Sequence, residues 1–190
     1  NDILELVART FIAPHQSAVY SQHAFAVYPL VVQAVGATGI EVPAQDFGHD
    51  LVAMAQAVRE DTAVVFLANP NNPTGTCFSE AAFAAFMQQI PSNVLVVLDE
   101  AYVEYFPEQF NSLKFLPQYP NLLISRTFSK AYGLAALRVG FGLASSQISD
   151  LINRVRQPFN VNSLALAGAA AALADEEFVE RSRVLNREGM

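Results

Sequence analysis

Six short apolar runs, most of them separated by helix-forming stretches, constrain this chain more than any other feature. The runs are S-A-V-Y-S at 17–21, G-I-E-V at 39–42, A-V-V-F-L-A at 63–68, V-L-V-V-L at 94–98, N-L-L-I-S at 121–125 and R-V-G-F-G-L at 138–143. Helical patterns occupy 24–35, 51–60, 79–90 and 146–156. Before the first run, Ile3, Leu6, Val7, Thr10 and Phe11 recur at helical spacing. After the last, one long helix is expected from about Ser163 towards the C-terminus, taking in the alanine-rich 164–174. Strands alternating with helices make an α/β sheet. V-L-V-V-L lacks the alternation of a sheet with one wet face, so both faces are covered and the sheet is mainly parallel. The expected fold is therefore three-layer α/β, with helices on both faces of a mainly parallel sheet. Ser79 with Glu80 reads as a helix start, and Pro91, Pro107, Pro117 and Pro120 punctuate loops.

Ligands of open α/β sheets bind beyond the carboxyl ends of the strands. Three strands here end in polar groups: N-P-N-N-P-T-G-T after 63–68, D-E-A-Y after 94–98 and R-T-F-S-K around the end of 121–125. Each has an ordinary reading. The asparagines and prolines suit a turn. Asp99 could cap a helix or join a salt bridge, Lys130 could be a solvated loop residue, and Arg138 could pair with a local acid. Together, on neighbouring strands, they would converge on one crevice. A lysine amine shielded from water attacks carbonyls to form a Schiff base. A carboxylate keeps a pyridine nitrogen protonated, and hydroxyls with an arginine suit a phosphate. Aldehyde, pyridine nitrogen and phosphate on one molecule describe pyridoxal 5′-phosphate (PLP). The chain has neither G-x-x-x-x-G-K-[ST] nor G-x-G-x-x-G, so nucleotide-phosphate loops fit less well.

Composition narrows the partners. Eighteen acids against eleven bases give a formal charge of −7, which argues against nucleic acid and anionic membrane. The longest apolar run, Leu164 to Ala174, is too short to span a bilayer. The single cysteine, Cys77, excludes an internal disulfide, suits a reducing, cytoplasmic setting and reads as a small buried hydrophobe. His15, His23 and His49 have no metal-ligand spacing and read as loop or helix-end residues, so no metal is expected. Charged residues make up 15% of the chain, against about 25% in an average soluble domain, while 52% is hydrophobic. That surplus implies surface covered by another subunit or further chain.

N-N-P-T-G at 71–75, D-E-A-Y at 99–102 and S-K-A-Y-G-L-A-A-L-R-V-G at 129–140 resemble the large domain of fold-type I PLP-dependent aminotransferases, most closely the histidinol-phosphate aminotransferases. The ordered set, covering essentially the whole chain, is far more specific than any one motif. The resemblance implies that Lys130 bonds the cofactor aldehyde and shuttles a proton between substrate Cα and cofactor C4′. It implies that Asp99 pairs with the pyridine nitrogen, and that Asn72 and Tyr102 hydrogen-bond the ring 3′-oxygen. Thr127, Ser129 and Arg138 would hold the phosphate. Phe25 would stack on the ring, where the family often has Tyr. A glycine-rich phosphate turn should lie just before Asn1, making Asn1 its last remnant. An N-terminal arm and a small C-terminal domain should lie outside residues 1–190, so the chain reads as a large-domain piece binding cofactor weakly and turning over little by itself. The implied reaction moves an amino group between an amino donor, glutamate, and a phosphorylated keto acceptor, imidazole-acetol phosphate, in a homodimer. Rival readings are an aminotransferase for aromatic amino acids, a related PLP decarboxylase, and a non-catalytic PLP-binding effector domain of a regulator.

Overall fold

A computed structural model describes residues 1–106 and 110–189, and all six apolar runs form strands of one sheet in it. The strands are β1 (Ser17–Ser21), β2 (Thr38–Val42), β3 (Thr62–Ala68), β4 (Leu95–Asp99), β5 (Leu122–Thr127) and β6 (Gly140–Ala144). The helices are α1 (Asp2–Phe11), α2 (Val27–Ala34), α3 (Leu51–Gln56), α4 (Glu80–Met87), α5 (Ser146–Val155), α6 (Ser163–Leu173) and α7 (Glu176–Gly189). Strand order is β2-β1-β3-β4-β5-β6, parallel throughout except for β6, which runs antiparallel along β5. From β1 the chain turns one way to β2, then returns to build the sheet the other way from β3. The crevice of a doubly wound sheet opens at such a switch point, past the strand ends.

Every residue of β3 is buried, and alternate residues feed two cores. Val64, Phe66, Leu95 and Val97 pack beneath α1, α2 and α5 with Leu4, Val7, Tyr28 and Ile148. Val65, Leu67, Val96 and Leu98 pack beneath α3 and α4 with Met54, Phe83, Phe86 and Met87. This is the three-layer α/β fold expected from the apolar runs. Each such fully buried side chain contributes about 1.5–3 kcal/mol. Capping follows the sequence: Asp50 starts α3, Ser79 starts α4, Ser145 starts α5 and Asn162 starts α6, each side chain accepting from a backbone N–H three residues on.

Several local expectations are corrected. The long C-terminal helix is two helices, because the Asp175 side chain accepts from the Phe178 N–H and starts α7 afresh. The 51–60 helix stops at Gln56, where Thr62 takes over the next turn by accepting from the Arg59 N–H and donating its own N–H to Arg59 O. Cys77 is exposed rather than buried, since in the extended run after the 69–75 turn it is the neighbouring Phe78 that faces inward. Pro91, Pro117 and Pro120 lie between regular elements as expected, whereas Pro107 falls outside the described residues. The apolar surplus shows at the surface: Phe159, Leu164, Leu166 and Leu173 are exposed on and before α6. Among the described residues no helix is long and apolar enough to cross a membrane.

Candidate active site

The three polar strand ends do meet, because β3, β4 and β5 are immediate neighbours. A cleft of about 530 Å³ opens past their carboxyl ends. Asn72, Asp99, Tyr102 and Lys130 line it, as do Thr127, Ser129 and Arg138. So do Phe25 and Asn1, which completes the set singled out from the sequence.

Asp99 forms the floor. It is the last residue of β4, in register between Ala68 of β3 and Ser125 of β5. Its Oδ2 accepts from Tyr28 Oη at 3.1 Å, and its Oδ1 accepts from Ser125 Oγ at 3.2 Å and the Ala101 N–H at 3.1 Å. Burial pushes its carboxyl above the usual carboxylate range, against the pull of those three donors. Tyr28 is wholly buried, stacked on Phe66 at 5.1 Å, and burial followed by the Asp99 charge drives its hydroxyl well up. Tyr28 and Ser125 were not singled out in the sequence. The available signal was the H-A-F-A-V-Y spacing, which sets Tyr28 three residues beyond Phe25 and in edge-on contact with it at 5.9 Å.

The residue just past β4 turns away from the cleft. Glu100 is fully buried and accepts from Arg126 Nε at 2.8 Å and Nη2 at 2.7 Å. Burial raises its carboxyl and the guanidinium opposes the rise. This pair, also unforeseen, joins β4 to β5 directly beneath the polar tips.

The rim is wetter. Lys130 is exposed, where chemistry alone suggested a shielded amine; its Nζ stands 5.0 Å from the Tyr102 ring centroid. The physical reason is its place in the turn after β5, outside the sheet. Thr127, at the end of β5, accepts from the Ser129 N–H at 3.1 Å. Arg138 adopts left-handed backbone geometry (φ 56°), and its Nη1 donates to Ser129 Oγ at 3.2 Å and Ala135 O at 2.6 Å. Hydroxyls and a guanidinium give this end of the cleft the character of an anion site, and the N-terminus of α1, with Asn1 at its cap, lines the same cleft.

The asparagine-rich stretch serves as both turn and lining. Asn69 exchanges hydrogen bonds with the Phe78 backbone, and buried Asn71 donates to His23 O and Thr74 Oγ1 at 2.8 Å each. Asn72, half-buried, is the one facing the cleft. His49 is more than a loop residue. Its Nε2 accepts from the Ala68 N–H at 3.1 Å, which satisfies the end of β3, and burial lowers its pKa to about 4. Among the described residues no cluster has the makings of a metal site.

The arrangement offers an amine, a fixed carboxylate, an anion site, an amide and a phenol around a space one aromatic ring could fill. Comparison with known proteins agrees with this chemistry. The family model described as "Aminotransferase class I and II" matches residues 1–188. A "Histidinol-phosphate aminotransferase 2" of Pseudomonas fluorescens (strain Pf0-1) is 62% identical over 192 residues, covering 100% of this chain and 52% of that protein. A "Histidinol-phosphate aminotransferase" of Methylobacillus flagellatus is likewise 62% identical, with 100% and 52% covered. The crystal structure of histidinol-phosphate aminotransferase from Sinorhizobium meliloti, in complex with pyridoxal-5′-phosphate, superposes with a TM-score of 0.92 at 33% identity, over 96% of this chain and 50% of that one. The chain thus spans about half the length of the curated relatives it matches.

Proposed function

The chain belongs to the class I and II aminotransferase family, and on that footing we propose that the whole protein is a PLP-dependent transaminase acting between glutamate and imidazole-acetol phosphate. The observation that carries the reading is the Asp99 carboxylate, fixed by Tyr28 and Ser125 at the floor of a cleft whose rim holds Lys130, Thr127, Ser129 and Arg138. The fit to the cofactor can be judged on this structure. A buried carboxylate whose hydrogen-bond donors are hydroxyls and an amide favours a cation beside it, and a protonated ring nitrogen supplies one. A ring seated on Asp99 has an anion site on the cleft wall for its phosphate, and Phe25 lies at hand for its face. The residues fit the group.

When bound, the cofactor supplies an aldehyde that takes up amines and a cationic ring that draws electrons from the substrate Cα. Asp99 holds the proton on the ring nitrogen. Lys130 would hold the aldehyde carbon through its amine and, when that amine is free, would serve as the base that moves a proton between the substrate Cα and the cofactor C4′. Asn72 and Tyr102 would donate to the ring 3′-oxygen. Thr127, Ser129, Arg138 and the N-terminal end of α1 at Asn1 hold the phosphate, and Phe25 covers the ring. Residues 1–190 are in this proposal a large domain, with an N-terminal arm and a small domain outside them completing the substrate site. Exposed Leu166 and Leu173, on one side of α6, support cover of that face by a second copy of the chain in a homodimer, for which the setting proposed is the cytoplasm.

The test uses the intact protein. Borohydride reduction with PLP followed by peptide mass mapping should fix the cofactor on Lys130, and turnover should be seen with glutamate and imidazole-acetol phosphate. Label on another lysine, or full turnover by Lys130→Ala, would refute the reading.

A further inference from the structure

We propose that α7 is a brace for the turn that carries Lys130, with Phe178, Ser182 and Arg183 as positioning residues. The inference rests on Lys130 being the cofactor amine, as proposed above, but its structural half is independent of that role.

Helix α7 has no fully buried side chain, so apolar burial alone does not explain why it lies where it does. Its contacts instead gather on two segments. Ser182 Oγ donates to the main-chain carbonyl of Ala131, the residue after Lys130, at 3.0 Å. Phe178, one helical turn earlier on the same face, lies against Gly133: a Cβ built there would stand 3.0 Å from Phe178 Cζ. Gly133 also has φ +71°, a backbone geometry that favours glycine, so the ring packs against bare backbone there. Arg183 Nε donates to the carbonyl of Glu104, two residues beyond Tyr102.

These segments are the ones whose inner sides meet in the cleft, where Lys130 Nζ approaches the Tyr102 ring. The same helix therefore ties both from outside. The Lys130 turn has modest support of its own: Gly133 N–H donates to Lys130 O and Leu134 N–H to Phe128 O, each at 2.9 Å. Lys130 is exposed, so packing around its side chain cannot fix the amine. Its backbone must, and α7 grips that backbone on the following residue.

The experiment measures amide hydrogen exchange of the intact, cofactor-free protein over peptide 128–136, then follows the visible absorption of the PLP-bound protein against pH. Ser182→Ala should speed exchange in this peptide about fivefold, the effect of losing one net hydrogen bond. Ser182→Thr, which keeps the donor, should restore it. Phe178→Leu should speed exchange further, whereas Leu185→Ala, at an exposed position on α7, should leave it unchanged. In the loaded protein the midpoint of the pH-dependent absorption change should move in Ser182→Ala and return in Ser182→Thr. Exchange unchanged in Ser182→Ala, or raised equally by Leu185→Ala, would overturn the brace. Faster exchange with an unmoved midpoint would overturn the positioning role. Should borohydride fail to fix PLP on Lys130, the functional reading falls, and the exchange comparison decides the brace by itself.

Discussion

The floor and the rim of the cleft are built in opposite ways. At the floor, Asp99 ends a central buried strand and receives three hydrogen bonds from Tyr28, Ser125 and Ala101, two of them from groups distant in sequence. At the rim, Lys130 and Arg138 are exposed and sit in turns, and their geometry depends on backbone contacts made outside the sheet. The contrast follows the work proposed for each. A group that must hold one charge beside a ring gains from rigidity, because preorganised dipoles need not reorient. An amine that must leave one bond and carry a proton to a neighbouring atom gains from freedom at its tip, provided its root is fixed.

The contrast can be broken first at the rim. Lys130→Ala should lower turnover of the intact protein by about 10³- to 10⁴-fold while circular dichroism and melting stay unchanged, since an exposed side chain adds little to folding. A comparable loss of stability would show that the rim is structural after all. At the floor, Asp99→Asn should lower turnover on the order of 10²-fold, with a much smaller change in PLP affinity by titration. Equal small losses in both would remove Asp99 from the ring nitrogen. Tyr28→Phe is subtler: it deletes one charge-assisted hydrogen bond and should cost about tenfold in kcat, together with about 1–2 kcal/mol in urea melts. It should also raise the Asp99 carboxyl further, because the Tyr28 hydrogen bond is one of the influences holding it down.

The smallest effect on neutral-pH turnover is expected at His49, behind the asparagine turn. The folded protein holds its imidazole neutral, with a pKa of about 4 against the ordinary 6.5. Between those values the unfolded chain binds the extra proton and the folded one does not. His49 therefore leaves stability intact above pH 6.5 and drains it as pH falls towards 4, by about 3 kcal/mol in total. Urea melts from pH 7 to pH 4 should show this slope flattened in His49→Gln. An unchanged slope would mean that the acid sensitivity resides elsewhere.

The elements were largely legible because each rests on local periodicity. All six strands, the N-terminal helix and the caps at Ser79 follow from spacing within about ten residues. That Asn72, Asp99 and Lys130 line one cleft was legible for a different reason: strand ends in a parallel sheet share one edge, so they had to converge once β3, β4 and β5 were adjacent. Adjacency itself is set by the tertiary strand order, which local periodicity does not encode. Less legible were partners joined across long loops. Nothing near Tyr28 announces an aspartate 71 residues away, and nothing near Ala131 announces Ser182, 51 residues on.

By itself the sequence determined the type of sheet, the positions of its strands and the chemistry available at their tips, because hydrophobic period and residue type are written locally. Only the tertiary structure decided which groups are pinned and which are loose: that Asp99 is gripped from α2 and β5, that Glu100 is matched by Arg126, that Lys130 stands in water, and that the last helix breaks at Asp175. Those outcomes turn on burial and on hydrogen bonds between distant segments, which exist only after the layers have packed.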